Sequence, residues 1–175
     1  MRGNMVKIIS LKKIDSTNSY AKHLLNKGTN KNFIVTAEQQ TAGRGRLNNR
    51  VWISPPGNLY ASFVFNISEV NISINKTAVI TSTVLKLLKD HINNLTKTNY
   101  IVIKPPNDLL VGNKKLCGVL VEIMYPFAII GIGLNIEHSP IERAANLKDT
   151  FGIVVDPFDC VKGIYEQIDT ALRNL

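Results

Sequence analysis

Between residues 73 and 95, Ile74, Ala78, Thr81, Leu85, Leu88, Ile92 and Leu95 recur at helical spacing, which predicts one long amphipathic helix. Apolar runs of strand character lie on both sides of it, so this helix has a sheet to cover. VKIISLKKI (6–14), NFIVTAEQ (32–39), NLYASFVFNI (58–67), YIVIK (100–104) and FAIIGIGLNI (127–136) read as strands. DLLVGNKKLCGVLVEIM reads as a hairpin turning at Gly112-Asn113. Two shorter helices complete the pattern. The first is DSTNSYAKHLLNKG, capped by Asp15 or Ser16, with Tyr20, Ala21, Leu24 and Leu25 as its stripe and Gly28 as its stop. The last is capped by Asp156, has Pro157 in its first turn, and points Phe158, Val161, Ile164, Ile168 and Leu172 inward. Hairpins mixed with separated helices predict the α+β class: a single mixed β-sheet with helices packed mainly on one face.

A chain of 175 residues fits one domain and can bury about 70% of its unfolded surface. It contains no uncharged apolar run near the ~18 residues that a membrane span needs. Its N-terminus lacks the pattern of a secretory leader, so a cytoplasmic location is expected. Cys117 and Cys160 are too few and too far apart for a disulfide framework or a metal site, and read as small buried residues in a reducing compartment. The net charge of +8 points to anionic partners: nucleic acid, phosphates or an acidic protein. The lysines are spread along the chain. Three of the arginines, Arg44, Arg46 and Arg50, cluster.

Gly43-Arg44-Gly45-Arg46 opens a stretch, 41–58, that is rich in glycine, proline and arginine and has no periodicity. Glycine lets backbone N–H groups approach a ligand, and guanidinium grips carboxylate or phosphate in a fork. Two such forks within three residues suit a multiply charged anion, although a solvated basic loop has the same composition. In IKPPNDLL (103–110), the following proline pushes Lys104 into an extended conformation, and the two prolines stiffen its support. Lys104 is then a fixed point charge, with Asn107 and Asp108 at the adjoining turn. DSTN (15–18) places hydroxyls and an amide at a helix start, where they cap the helix or turn out to a polar ligand. GIGLN (131–135) puts two glycines at a strand end, a sign of close backbone approach, and it is no dinucleotide fingerprint.

As a set and in this order, DSTN (15–18), AEQQTAGRGRLNNRVWISPPGNLYAS (37–62), KPPNDLLVGNKKLCGVLVE (104–122) and GIGLN (131–135) resemble the biotin–protein ligase family. The resemblance spans about residues 8–136. It implies the class II synthetase-like fold of the biotin/lipoate ligase catalytic domain. It also implies a two-step, AMP-forming reaction. Biotin and Mg-ATP give biotinyl-5′-adenylate, and the biotinyl group then passes to a lysine of the carrier domain of acetyl-CoA or a related acyl-CoA carboxylase. Carried over position by position, the catalytic groups would be Lys104, Arg46 and Arg44. Biotin would meet Ser16, Thr17, Asn18, Gln40, Arg44, Gly45, Arg46, Lys104 and Gly118. The nucleotide would meet Arg44, Arg46, Trp52, Lys104, Asn107 and Asn135. ATP and Mg²⁺ are the implied cofactors, and no metal ligand is assigned.

The chain departs from the family pattern at two places. GRGRLNNRVW is one residue longer, with Leu47 where the next arginine stands, and Pro105 stands where a tryptophan follows the lysine. The whole of 1–175 is expected to be one catalytic domain, without an N-terminal DNA-binding domain or a C-terminal barrel. Whether two copies pair as a homodimer is left open. Two other readings stay open beside the ligase. One is a lipoate- or octanoate-transferring enzyme on the same fold. The other is a basic nucleic-acid-binding module using Arg44, Arg46 and Arg50, although the loop offers few aromatics for stacking and no recognition helix stands out.

Overall fold

The structure, a computed structural model, describes residues 6–47, 50–70 and 75–175. Asn48 and Asn49 of the lengthened loop lie outside the described residues, as do residues 73 and 74, where the long helix was expected to begin. The described elements are β1 (Lys7–Ile14), α1 (Thr17–Asn26), β2 (Phe33–Gln40), β3 (Leu59–Asn66), α2 (Lys76–Thr96), β4 (Ile101–Lys104), β5 (Asp108–Val111), β6 (Lys114–Met124), β7 (Phe127–Leu134), α3 (Leu147–Phe151) and α4 (Pro157–Arg173).

All seven strands form one sheet in the order β1-β2-β3-β7-β6-β5-β4. β1 and β2 run parallel, with α1 as their crossover, and every other neighbouring pair is antiparallel. The sheet is therefore mixed, as the sequence predicts. Gly112, at φ +58, sits in the two-residue turn between β5 and β6, a left-handed position that suits glycine.

Two helices cover one face. Ile80, Val84, Leu85, Leu88 and Ile92 of α2, with Val161, Ile164, Ile168 and Leu172 of α4, pack on Ile34, Phe63, Phe65, Val119, Val121, Ile130 and Ile132. Each such side chain contributes about 1.5–3 kcal/mol of burial free energy. The shorter α1 lies on the opposite face, where Ala21 and Leu25 meet Phe33, Val35, Val64, Phe127 and Ile129. Helices thus sit mainly, but not wholly, on one side. Ser16 is the N-cap of α1, its oxygen accepting from the Ser19 N–H, and Asp15 accepts from the Ser16 N–H at 2.6 Å.

Four details differ from expectation. Ala78, expected on the inward stripe of α2, is exposed, and Ile80 and Val84 take core places that the stripe did not name. Phe158 is 45% exposed: the first turn of α4 leaves this ring in solvent, while Val161 and Ile164 further along are buried. Cys160 is only half-buried, whereas Cys117 is fully buried. The short α3 was not foreseen. It is a five-residue helix whose N-cap, Asn146, accepts from the Asp149 N–H at 2.7 Å, and so short an element shows no periodicity.

Candidate active site

Strand register builds the floor of the site on the α1 face. Tyr60, Gly133 and Gly118 stand side by side across β3, β7 and β6. The next row is Ser62, Gly131 and Leu120, and the row after that is Val64, Ile129 and Glu122. Three glycines in two adjoining rows leave a trough in the sheet.

A side chain from the 41–58 stretch occupies part of that trough. Trp52 lies so close that a Cβ on Gly133 would meet its ring at 2.6 Å, and one on Gly118 at 2.9 Å. Lys115 Nζ sits 4.8 Å from the Trp52 ring centroid and pairs with Asp108 Oδ1 at 2.6 Å. One row along, Asn18 packs over Gly131. The 41–58 stretch, aperiodic in sequence, is held by backbone pairing here. Gln40 bridges to Ser54 and Arg44 to Val51, while Trp52 N–H donates to Gly43 O and Gly45 N–H to Arg50 O, each at 2.8 Å. Residues 43–47 and 50–52 pair as the two sides of a hairpin-like flap. Tyr60 fastens the chain beyond it by donating to Pro55 O at 2.7 Å, and burial raises the pKa of this phenol.

Between floor and flap is a cavity of about 1100 Å³. The four sequence stretches meet there. Ser16, Thr17, Asn18, Gln40, Arg44, Gly45, Arg46, Trp52, Lys104, Asn107, Gly118 and Asn135 all line it. Its charge is lopsided. Arg44, Arg46, Arg50, Lys104, Lys114, Lys115 and Arg143 line it, against Asp108 and Glu142 as carboxylates. A cavity of this size with this excess of fixed cations suits a large anionic ligand.

The polar groups at its α1 end hold one another in place. Gln40 Oε1 accepts from the Thr17 backbone N–H at 2.9 Å, and Gln40 Nε2 donates to Ser54 Oγ at 2.9 Å. Ser62 Oγ lies 2.8 Å from Thr17 Oγ1 and also reaches Asn18 Oδ1. Such mutual bonding leaves few rotamers open and preorganises the group. At the other end Asn107 donates to Val119 O, and Asn135 donates to Lys115 O and Ala145 O, so both amides brace the turns beside the cavity. Asn135 Oδ1 and Trp52 Nε1 are buried with no hydrogen-bond partner among the described residues. An acceptor and a donor are therefore left for a ligand.

Sequence reasoning passed over Glu122, Lys115 and Ser62. Of these, Glu122 was legible in one respect. Glu122 is four residues from Gly118 on one strand, which places both on the same face. Its carboxylate is held below the usual range. Burial, the largest single influence, acts to raise its pKa, but hydrogen bonds from Lys22, Arg44 and Asn18 and the Arg44 charge together outweigh it.

No described helix is long and apolar enough to cross a membrane. The described residues hold no cluster of three metal-ligating side chains.

Comparison with known proteins agrees with this geometry. A Bacillus subtilis protein named bifunctional ligase/repressor BirA is 33% identical over 142 residues, covering 78% of this chain and 42% of its own length. A Mycobacterium tuberculosis protein named biotin–[acetyl-CoA-carboxylase] ligase is 29% identical over 113 residues, covering 62% of this chain and 41% of its own. The chain thus spans about two fifths of the length of these relatives. The biotin protein ligase of Aquifex aeolicus, solved in complex with biotin and ATP, superposes with a TM-score of 0.78 at 29% identity, covering 97% of this chain and 72% of that one. Residues 10–135 match the biotin/lipoate A/B protein ligase family, and the chain belongs to that family.

Proposed function

We propose that this chain activates the carboxylate of biotin with ATP and transfers the biotinyl group to a lysine of a carrier domain of an acyl-CoA carboxylase. The observation that carries this reading is the cavity itself. Segments 15–18, 43–46, 104–107 and 131–135, far apart in the chain, line one space in which arginines and lysines dominate.

In the first step a biotin carboxylate oxygen attacks the α-phosphorus of ATP. The bond to the bridging oxygen breaks, pyrophosphate leaves, and a mixed anhydride remains. Two anions must approach, so fixed cations are what this step needs. Lys104, at the rigid end of β4, and Arg46, on the flap, stand for that task, with Arg44 beside them. A positioned donor of this kind is worth about 3 kcal/mol in the barrier. Ser16, Thr17, Asn18 and Gln40 offer donors and acceptors for a ureido ring, and Gly118 and Gly45 allow close approach of the chain. Trp52 and Asn135, each with a free polar atom, suit the nucleotide base, and Asn107 supports that end. Mg²⁺ would be held chiefly by the ATP phosphates and would offset part of their charge, with Asp108 and Glu142 as the carboxylates that line the cavity. In the second step the uncharged ε-amine of a carrier lysine attacks the acyl carbon and AMP departs.

Incubation with ATP labelled at the α-phosphate and either biotin or lipoate tests the first step. Acid-labile labelled adenylate with biotin supports the reading, and adenylate with lipoate alone moves the chain to the other branch of its family. The carrier assignment is tested by transfer of label from biotin to a purified carrier domain.

A further inference from the structure

We propose that Glu122 is a positioning residue that pins the Arg44 guanidinium, and with it the base of the flap, to the sheet. This rests on the reading of the cavity as the place where a carboxylate is activated.

One carboxylate joins three separately folded pieces here. Its Oε1 accepts from Lys22 Nζ at 2.7 Å and from Arg44 Nη1 at 3.1 Å. Its Oε2 accepts from Asn18 Nδ2 at 2.9 Å and from Arg44 Nη2 at 2.5 Å. Lys22 and Asn18 come from α1, Arg44 from the flap, and Glu122 from β6. Exposed ion pairs are worth little, because water competes and two flexible chains must be ordered. This one differs in two respects. The Glu122 side chain is only 19% exposed, and Arg44 meets it with a two-bond fork that fixes the plane of the guanidinium. The described residues give Arg46 and Arg50 no ion pair, so among the flap arginines it is Arg44 that forms an ion pair with the floor.

Arg44 also forms the backbone bridge to Val51, and the next residue in the chain, Trp52, covers Gly118 and Gly133. A fixed Arg44 therefore constrains where Trp52 lies. Without the Glu122 charge, Arg44 keeps its backbone bridge but loses its orientation, and the flap loosens over the trough.

The test is a double-mutant cycle of Glu122→Gln and Arg44→Ala, with Lys22→Ala as a control. Glu122→Gln keeps the shape and leaves the fold in place, which a melting curve verifies. Its effect is expected to be a rise of about tenfold in the KM for biotin and a similar acceleration of adenylate escape. In the Arg44→Ala background the same change is expected to add nothing, and Lys22→Ala to shift either value less than twofold. Trp52 is the only tryptophan in the chain, so acrylamide quenching of its fluorescence reads the flap without any need for turnover. Quenching is expected to increase in Glu122→Gln. Wild-type quenching in that variant, or effects that add in full to those of Arg44→Ala, would overturn the proposal. A wild-type protein that makes no adenylate would refute the proposed function, and the quenching experiment would still decide the role of Glu122.

Discussion

The indole of Trp52 lies against Gly133, so near that any side chain there would meet it at 2.6–2.8 Å. Gly118, paired with Gly133 across β6 and β7, meets the same ring. A flat aromatic group on a glycine floor makes a slot whose width depends on those two missing side chains.

Gly133→Ala is therefore expected to lift Trp52 from the floor. Its fluorescence should become more accessible to quencher, and ATP binding should weaken by about tenfold or more, as a misplaced group costs. Unchanged emission together with unchanged ATP affinity would show that the slot does not matter.

Lys104 is exposed at the end of β4 and takes no part in the core. Lys104→Ala is expected to leave the melting temperature unchanged while lowering the rate of adenylate formation by about 100-fold, the usual cost of a lost charge-stabilising donor. Wild-type turnover in this variant would remove Lys104 from the chemistry.

Because Glu122 titrates below the ordinary carboxylate value of 4.5, its pairing stabilises the folded state fully above about that pH. The contribution disappears as pH falls through the lowered pKa of the folded state. Chemical denaturation of wild type and Glu122→Gln is expected to show a stability gap at neutral pH that closes in acid. A gap that stays constant with pH would contradict the assignment.

Burial, the largest influence on the Cys117 thiol, pushes its pKa up to about 12, and it packs within the main core. Cys160 is half-buried on α4, with Asp156 and Asp159 nearby raising its pKa as well. Neutral alkylating reagent is expected to modify Cys160 slowly and to leave Cys117 untouched in the folded protein, as mass spectrometry of digests would read. Early modification of Cys117 would mean that the core opens under native conditions.

Much of the fold was legible because its elements obey their periods. The hairpin at Gly112-Asn113 and the Asp156-Pro157 start of α4 stand where their patterns put them, and Thr81, Leu85, Leu88 and Ile92 face the core from α2 as their spacing predicts. Phe158 misled because an apolar residue in the first helical turn continues the stripe in sequence, yet here that position is left in solvent. The flap was hidden for a different reason. Its order comes from Arg44 meeting Glu122 and Trp52 meeting Gly118 and Gly133, contacts between residues 66 to 81 positions apart that no local window contains. The site residues could be proposed from motifs, but their mutual support through Ser62, Glu122 and Lys115 needed the register of β3, β7 and β6.

Ile164→Ala in α4 is expected to cost about 2–5 kcal/mol, since it empties a filled core position. Phe158→Ala, one turn and a half earlier, should cost under about 1 kcal/mol because that ring already faces water. Equal losses in the two variants would show that the first turn of α4 packs in solution.

A structure of the protein with biotin and a non-hydrolysable ATP analogue bound tests the assembly of the site in a single view. The Lys104 ammonium and the Arg46 guanidinium should both stand within hydrogen-bonding reach of the junction between the biotin carboxylate and the α-phosphate. If the two cations instead approach opposite ends of the ligands, or the ligands bind elsewhere, the mechanism proposed for this cavity is wrong.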